Sequence, residues 1–380
     1  MNVLVLSLDS TLLEPTPKMG DTLRRHVAYV KILREMCTSG SLDILVRGVA
    51  GKEPPPVRAT GLHLHPVGSS APAFLANTWR VGRQLLSEKE FALITTQTPF
   101  LDGVAGVLLK RRRGTPLLIQ LHSSFLDNPY WLAESRVNGL RRLMGLWTLR
   151  YADAIRVVSP QAAKWCRLKF PGSRVHFVPV AVTLDLPAAY VRPSSPTVLF
   201  VGRLVWQKNV PLLLHAFARV HAALPQASLV LVGDGPERSR LEQLAGQLLP
   251  EGTVTFTGAV PYREIGNYYQ QAMVLAVPSR YEPYGRVILE GLGHGRPVVA
   301  TETEGATMLV QEGFGFIVPQ ENAEALAKHL LLMLQNPARA ARMGHRAWAW
   351  VRETYAPEAL QAEWVRVWVE AAGGDADCVS

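Results

Sequence analysis

The feature that narrows the fold most is an alternation that runs the length of the chain. Short aliphatic and β-branched runs are separated by stretches with helical periodicity. In the first half the runs are Val3 to Leu8, Leu42 to Val46, Phe91 to Thr95, Leu117 to Leu121, Ala154 to Val158 and Val175 to Val178, with a helical stretch such as Leu23 to Met36 between two of them. In the second half they are Thr197 to Val201, Ala227 to Val232, Val254 to Thr257, Met273 to Val277, Val298 to Ala300 and Gly315 to Val318. Runs this short and this apolar suit parallel strands covered on both faces by helices. Two doubly wound α/β domains follow, as the 380-residue length also allows at about 100 to 200 residues per domain. The segment from Thr183 to Pro196 is aperiodic and holds Pro187, Pro193 and Pro196, so it reads as the linker. The domains are expected at 1–188 and 189–356, facing an interdomain cleft lined by the C-terminal ends of their strands.

Composition removes several classes. With 48% hydrophobic and 19% charged residues the chain can bury a large core. No run of about 18 apolar residues occurs, and the opening Met1 to Leu6 lacks a basic flank and a small-residue cleavage site. Cys37, Cys166 and Cys378 are odd in number and lack Cys-x-x-Cys spacing, which argues against a disulfide framework and a cysteine zinc site. A reducing cytoplasm is the expected compartment. Residues 1–188 carry 24 Lys+Arg against 13 Asp+Glu, net +11, whereas residues 189–380 carry 16 against 18, net −2. The excess therefore points to an acidic partner for the first half: nucleic acid, an anionic membrane surface or a phosphorylated substrate. Nucleic acid is set aside because no base-reading or stacking motif accompanies the charge.

Two segments carry candidate chemistry. Thr197 to Val201 runs into Gly202-Arg203-Leu204-Val205-Trp206-Gln207-Lys208, just before a helix expected to begin near Pro211. Gly202 lets the backbone leave the strand close beside a ligand, and Arg203 and Lys208 can converge on one diphosphate. In the segment from Pro278 to Glu290, Glu282 falls where the strand has ended and Glu290 about two turns into the next helix. Carboxylates so placed accept hydroxyl hydrogen bonds while helix N–H groups face a phosphate. The turn Gly233-Asp234-Gly235-Pro236 reads as structural, with Asp234 capping the following helix.

Together these segments make residues 197–335 resemble the retaining GT-B glycosyltransferases of family 4, the glycosyl transferases group 1. The resemblance rests on Phe200-Val201-Gly202-Arg203 with Lys208, on Leu231 to Pro236, on Phe256 to Val260, on Glu282 and Glu290 with seven residues between, and on Gly295 to Thr301. It implies that Arg203 and Lys208 neutralise the donor diphosphate, that Glu282 holds donor-sugar hydroxyls and that Glu290 holds the ribose. It places Gly202, Tyr284, Gly285, Arg286 and Val287 against sugar and phosphate, and Val260 near the base. Arg286 is an added cation beside the diphosphate. In the first domain His122, at the end of the Leu117 to Leu121 strand, matches a histidine that contacts the donor sugar. Gly20 and Asp21 stand where the family sets a loop between donor phosphate and acceptor. The usual glycine pair is missing there, and helix capping by Asp21 is an equal reading. Phe125 to Trp131 reads as an aromatic and polar loop for gripping an acceptor or for packing. Leu360, Trp364, Val367 and Trp368 share a helical face, and the resemblance implies that a terminal helix at about 357–371 packs back on the first domain.

The expected activity is retaining transfer of a sugar from a nucleotide diphosphate sugar to an acceptor hydroxyl, in assembly of a cell-surface glycan or glycolipid. No cofactor or metal is expected. The only Asp-x-Asp, Asp375 and Asp377, lies in the tail. A dinucleotide oxidoreductase is disfavoured because Gly-x-Gly-x-x-Gly between strand and helix is absent; Gly291-Leu292-Gly293-His294-Gly295 follows a helix and precedes a strand. The alternative is a catalytically silent, sugar-nucleotide-binding subunit of a glycan-assembly complex. The stretch Arg136 to Tyr151, with an apolar stripe of Leu140, Met144, Trp147 and Tyr151 among arginines, reads by itself as an amphipathic helix docked on the core with its arginines in water; together with the basic run Lys110 to Arg113 and the domain-wide charge excess it suggests peripheral binding to the cytoplasmic membrane face and a lipid-linked acceptor.

Overall fold

The computed structural model describes residues 1–13, 21–37, 39–50, 59–122, 125–181, 184–192 and 195–374. The chain divides into two compact units, Met1–Val182 with Pro357–Ser380, and Thr183–Ala356.

Unit one is built on a seven-stranded parallel sheet. Its strands are β1 (Asn2–Ser7), β2 (Ser41–Val46), β3 (Leu62–Pro66), β4 (Leu93–Thr96), β5 (Leu117–Leu121), β6 (Ala154–Val157) and β7 (Arg174–Phe177), in the order β3-β2-β1-β4-β5-β6-β7. Side chains alternate across a strand, so β1 feeds two cores at once. Val3 and Val5 join the first helix (Asp21–Met36) and the C-terminal helix (Pro357–Ala371) through Leu23, Val30, Trp364, Val367 and Trp368. Leu4 and Leu6 face the other layer, with Phe74, Val107 and Leu109 from the helices Ala71–Glu88 and Leu101–Arg113. The terminal helix thus belongs to the first unit although it follows the whole second unit in sequence. β3 was absent from the sequence reading. As an edge strand reading Leu-His-Leu-His-Pro, it buries its leucines and exposes His63, so it has no continuous apolar run.

Unit two repeats the plan with β8 (Thr197–Val201), β9 (Ser228–Val232), β10 (Val254–Gly258), β11 (Val274–Val277), β12 (Val298–Thr301) and β13 (Gly315–Val318), in the order β10-β9-β8-β11-β12-β13. In each sheet the direction of winding reverses once, between β1 and β4 and between β8 and β11. The C-terminal edge of those paired strands is where a doubly wound sheet forms its ligand crevice. The sequence boundary at 188/189 falls later than the observed division. Pro187 accepts hydrogen bonds from Arg352 Nη1 at 3.2 Å and Trp348 Nε1 at 3.5 Å, and the Tyr190 hydroxyl donates to the Ala341 carbonyl at 2.9 Å. These contacts tie residues that read as a linker to the second unit.

Gly233 shows how closely the second crevice is built. It has φ +133°, and a Cβ there would stand 2.0 Å from the Gly202 carbonyl oxygen. The loops after β8 and β9 can therefore touch only with glycine between them. Among the described residues no helix is long and apolar enough to cross a membrane.

Candidate active site

At the β8 end of the crevice the chain leaves Val201 through Gly202, makes a tight turn over Trp206–Lys208 and enters a helix (Val210–Ala223) at Asn209. Asn209 adopts a left-handed conformation, φ 48°, is almost wholly buried and donates Nδ2–H to Glu321 Oε1 at 3.2 Å. The loop after β11 lies alongside. Arg280 binds this neighbour three ways: its backbone N–H reaches the Gln207 carbonyl at 2.9 Å, Nη1 reaches the Trp206 carbonyl at 2.8 Å, and its guanidinium lies 4.9 Å from the Trp206 ring centre. Glu321 also pairs with Arg280 Nε at 2.9 Å.

This clamp brings Lys208 and Glu282 together, 74 residues apart in sequence, with Lys208 Nζ donating to Glu282 Oε2. Glu282 is 7% exposed and also receives the Ser279 hydroxyl at 3.4 Å, while its carbonyl accepts Gly305 N–H at 2.7 Å. A buried carboxylate fixed by a lysine has its remaining acceptor capacity available for hydroxyl groups. Arg203 is exposed, and its side chain makes no hydrogen bond or ion pair among the described residues.

Gly285, φ 80°, is the N-cap of the helix Arg286–Gly293, where a β-carbon would be strained. The first-turn N–H groups of Arg286 and Val287 have no carbonyl within the helix and make its mouth electropositive. One turn on, both oxygens of Glu290 are engaged. Arg286 Nε donates to Oε1 at 2.9 Å and the Tyr269 hydroxyl to Oε2 at 3.1 Å. Burial and the adjacent Glu290 charge hold the Tyr269 phenol well above its usual range. For Arg286 burial works against the charge, yet Tyr262 and Glu290 outweigh it and raise the guanidinium pKa. Arg286 also lies 5.0 Å from the Tyr262 ring centre, so it faces Glu290 and Tyr262, an arrangement absent from a reading that set it beside the diphosphate. Val260 is half-buried just beyond β10, two residues before Tyr262.

Tyr269, Arg280, Asn209 and Glu321 were missed in sequence. The available signal was weak: a buried tyrosine hydroxyl needs a partner, but nothing marks Tyr269 as buried before the fold is known. Asp234 receives Gly235 N–H at 2.7 Å and Arg238 Nη1 at 3.3 Å, so it braces the turn. The N-cap of the helix Arg238–Leu248 is Glu237, which supplies no side-chain cap.

In unit one His122 follows β5 directly, at the C-terminal edge of the sheet. Its pKa is lowered to about 3, first by loss of solvation and then by the charges of Arg156 and Arg25. The residue as a whole keeps exposed surface, and the imidazole is neutral near pH 7. Gly20 lies outside the described residues, as do Asp375 and Asp377, and Asp21 opens the first helix. Phe125 to Trp131 is a structured segment rather than an open loop. A short 3-10 turn (Phe125–Asp127) leads into a helix (Pro129–Glu134) capped by Asn128, Trp131 stacks on Phe100 at 6.2 Å, and Asp127 holds Arg142 Nη2 at 2.7 Å and Trp165 Nε1 at 2.9 Å.

His26 is almost wholly buried on the first helix, and its pKa falls to about 4, mainly through burial, with the Arg25 charge adding and the Thr22 carbonyl opposing. The unfolded chain takes up this proton near pH 6.5, well before the folded chain does. Stability from neutral His26 is therefore present above pH 6.5 and is lost as pH falls toward 4, by an amount on the order of 3 kcal/mol. The urea midpoint should drop across that window, and His26→Gln should flatten the drop; an unchanged slope would contradict the assignment.

The basic stretch also resolves. Lys110, in the last turn of the helix Leu101–Arg113, pairs with Asp153 at 2.6 Å and so departs from the solvated run expected for it, whereas Arg111 to Arg113 are exposed. The helix Val137–Leu149 turns Asn138, Gly145, Thr148 and Leu149 inward and leaves Leu140 and Leu143 63% and 62% exposed, with Trp147 and Tyr151 also exposed.

Two parallel doubly wound units, the second with a basic loop and two carboxylates at its switch point, define a GT-B architecture. The Glycosyltransferase Family 4 model matches residues 33–186 and the Glycosyl transferases group 1 model matches residues 187–350. The chain belongs to this family of glycosyltransferases. It is similar to alpha-D-kanosaminyltransferase of Streptomyces kanamyceticus, 29% identical over 63% of this chain and 67% of that one. D-inositol 3-phosphate glycosyltransferase of Kribbella flavida is 26% identical over 91% of this chain and 90% of its own length. Among solved structures, sucrose-phosphate synthase of Thermosynechococcus elongatus shares the fold with TM-score 0.76 and 23% identity, covering 97% of this chain and 98% of that one. Anabaena HepE in complex with UDP gives TM-score 0.70 and 19% identity, over 97% and 100%.

Proposed function

We propose that this glycosyltransferase moves a sugar from a nucleoside diphosphate sugar to an acceptor hydroxyl with retention at the anomeric carbon, and without a catalytic metal. The observation that carries this reading is the Lys208–Glu282 pair beside the electropositive mouth of the Arg286–Gly293 helix. Arg203, Lys208 and the first-turn N–H groups would stabilise charge on the departing diphosphate, work that a divalent cation does elsewhere. Glu282 would accept hydroxyl hydrogens of the sugar, and Glu290, oriented by Tyr269 and Arg286, those of the ribose. As the bond from anomeric carbon to diphosphate oxygen breaks, the acceptor oxygen bonds to the same face of that carbon and its proton passes to the leaving phosphate. His122, neutral near pH 7, would donate or accept a hydrogen bond to the donor sugar without adding charge. The complex of HepE with UDP and the sugar-transferring names of the relatives support a nucleotide sugar as donor. Incubation with UDP-, GDP- and ADP-sugars should release diphosphate from one of them; tight nucleotide binding with no release would favour the silent-subunit reading.

The acceptor is proposed to be lipid-linked and the enzyme to bind an anionic membrane face in the cytoplasm. The exposed Leu140, Leu143, Trp147 and Tyr151, flanked by exposed Arg136, Arg141 and Arg150, form an amphipathic surface of the kind that enters a headgroup layer. Each basic residue near an anionic leaflet adds about 1 kcal/mol. Cosedimentation with anionic vesicles at low salt should be strong, should weaken as salt rises and should fall at least about tenfold in Leu140→Ser/Trp147→Ser. Equal recovery with neutral vesicles would leave a soluble acceptor as the reading.

A further inference from the structure

Among the described residues two non-glycine positions take a positive backbone φ, Asn209 at 48° and Glu321 at 55°, and they are bonded to each other. Asparagine visits that left-handed region readily; glutamate has no such preference, and glycine would sit there at lower cost. The two come from distant places. Asn209 directly follows Lys208 in the loop after β8, and Glu321 lies between β13 and the helix Ala323–Gln335, with β11 and β12 standing between β8 and β13 in the sheet.

Arg280, in the loop after β11, spans that gap. Glu321 Oε1 pairs with Arg280 Nε at 2.9 Å and receives Asn209 Nδ2–H at 3.2 Å, so one carboxylate oxygen joins the two loops. The rest of the arginine serves the turn that carries Lys208, through the Trp206 and Gln207 carbonyls and the Trp206 ring. Its own carbonyl accepts Gln320 Nε2–H at 3.1 Å, and the same amide reaches the Glu302 carbonyl at 2.7 Å. A planar guanidinium suits bridging acceptors at fixed angles. The turn needs such outside support, because three residues of 3-10 helix make few and poorly aligned bonds of their own. The Glu321 side chain is 53% exposed, and an exposed ion pair contributes little to stability. A glutamate kept where glycine fits better, for a pair of that kind, points to a role other than stability.

We propose that Arg280, locked by Glu321, is a positioning residue: it sets the Trp206–Lys208 turn so that the Lys208 ammonium stands where the donor diphosphate binds. The proposal rests on the reading of Lys208 as a diphosphate ligand and adds the residues that aim it. Neither Arg280 nor Glu321 acts by touching the diphosphate. Charge gives the idea a distinctive sign. Glu321 is an anion close to a site for another anion, so by field alone its removal would tighten diphosphate binding. Loss of the lock does the opposite, since it lets Lys208 drift from its place.

The full chain is titrated calorimetrically with UDP, GDP and ADP as wild type, Glu321→Gly, Glu321→Gln, Arg280→Met and Lys208→Ala, and each protein is melted. Glu321→Gly should melt no lower than wild type, because glycine relieves the left-handed backbone, yet it should bind the preferred nucleotide about tenfold more weakly. Glu321→Gln keeps an oxygen for Asn209 and Arg280 and should stay within about threefold of wild type. Arg280→Met should lose about tenfold or more, and neither Arg280→Met nor Glu321→Gly should weaken binding further when Lys208 is already alanine. Binding by Glu321→Gly as tight as wild type or tighter, or a loss that adds in full to that of Lys208→Ala, would overturn the proposal while leaving Lys208 on the diphosphate. If wild type binds none of the three nucleotides, or Lys208→Ala binds them unchanged, the diphosphate reading itself fails and the proposal falls with it.

Discussion

Lys208→Ala is expected to lower sugar transfer about a hundredfold or more, the scale seen when one preorganised donor to a developing oxyanion is removed. The structure adds a complication that sequence alone would hide. Lys208 is the ion-pair partner of Glu282, so its loss leaves a nearly buried carboxylate with the Ser279 hydroxyl at 3.4 Å as its remaining side-chain donor. Removing one member of a buried pair costs a few kcal/mol, and some of the lost activity could be lost fold. Arg203→Ala is the control. Arg203 is exposed and makes no side-chain bond among the described residues, so this variant should melt like the wild type and still lose turnover by about a hundredfold. Turnover of both variants within a few-fold of wild type would remove the diphosphate assignment.

The second large effect is expected at Glu290. A hydrogen bond to a charged group is worth about 1.5–3 kcal/mol, so Glu290→Gln should reduce kcat/KM for the donor by about ten- to a hundredfold, mostly through KM. Glutamine keeps an oxygen for the Tyr269 hydroxyl or Arg286, which limits damage to the fold. Glu290→Ala should cost stability as well, because it leaves Tyr269 buried without that acceptor. A deoxyribose donor analogue separates binding from structure: if Glu290 holds the ribose hydroxyls, wild type should discriminate against the analogue and Glu290→Gln should not. Equal discrimination by both proteins would place the ribose elsewhere.

How much of this could be read from the chain varies with what each residue must do. The six strands of unit two were legible to within a residue or two: β8, β11 and β12 are interior and almost wholly buried, so they cannot avoid being apolar, and the edge strands β10 and β13 still carry short β-branched and aromatic runs. β3 was not, since an edge strand keeps one face in water and its histidines break the run. Lys208, Glu282 and Glu290 stood out by their spacing around loops and helix starts. Their supports did not: Arg280, Asn209 and Tyr269 act across distances set by the crossing of two loops at the switch point, and no local pattern encodes that. The helix Val137–Leu149 shows the limit most directly. Its apolar stripe could equally have faced the core, and the outcome was decided by small inward residues, Gly145 and Thr148, against which Leu126 and the Pro99 carbonyl fit.

Release of nucleoside diphosphate, followed with each candidate nucleotide sugar in the presence and absence of EDTA, tests the central claim most directly. The account predicts that one donor is turned over, that chelation leaves its rate unchanged, and that Arg203→Ala lowers release about a hundredfold without altering the melting temperature. Turnover that stops with EDTA and returns with added divalent metal would contradict it, because the charge on the leaving diphosphate would then be carried by an ion rather than by Arg203, Lys208 and the mouth of the Arg286–Gly293 helix.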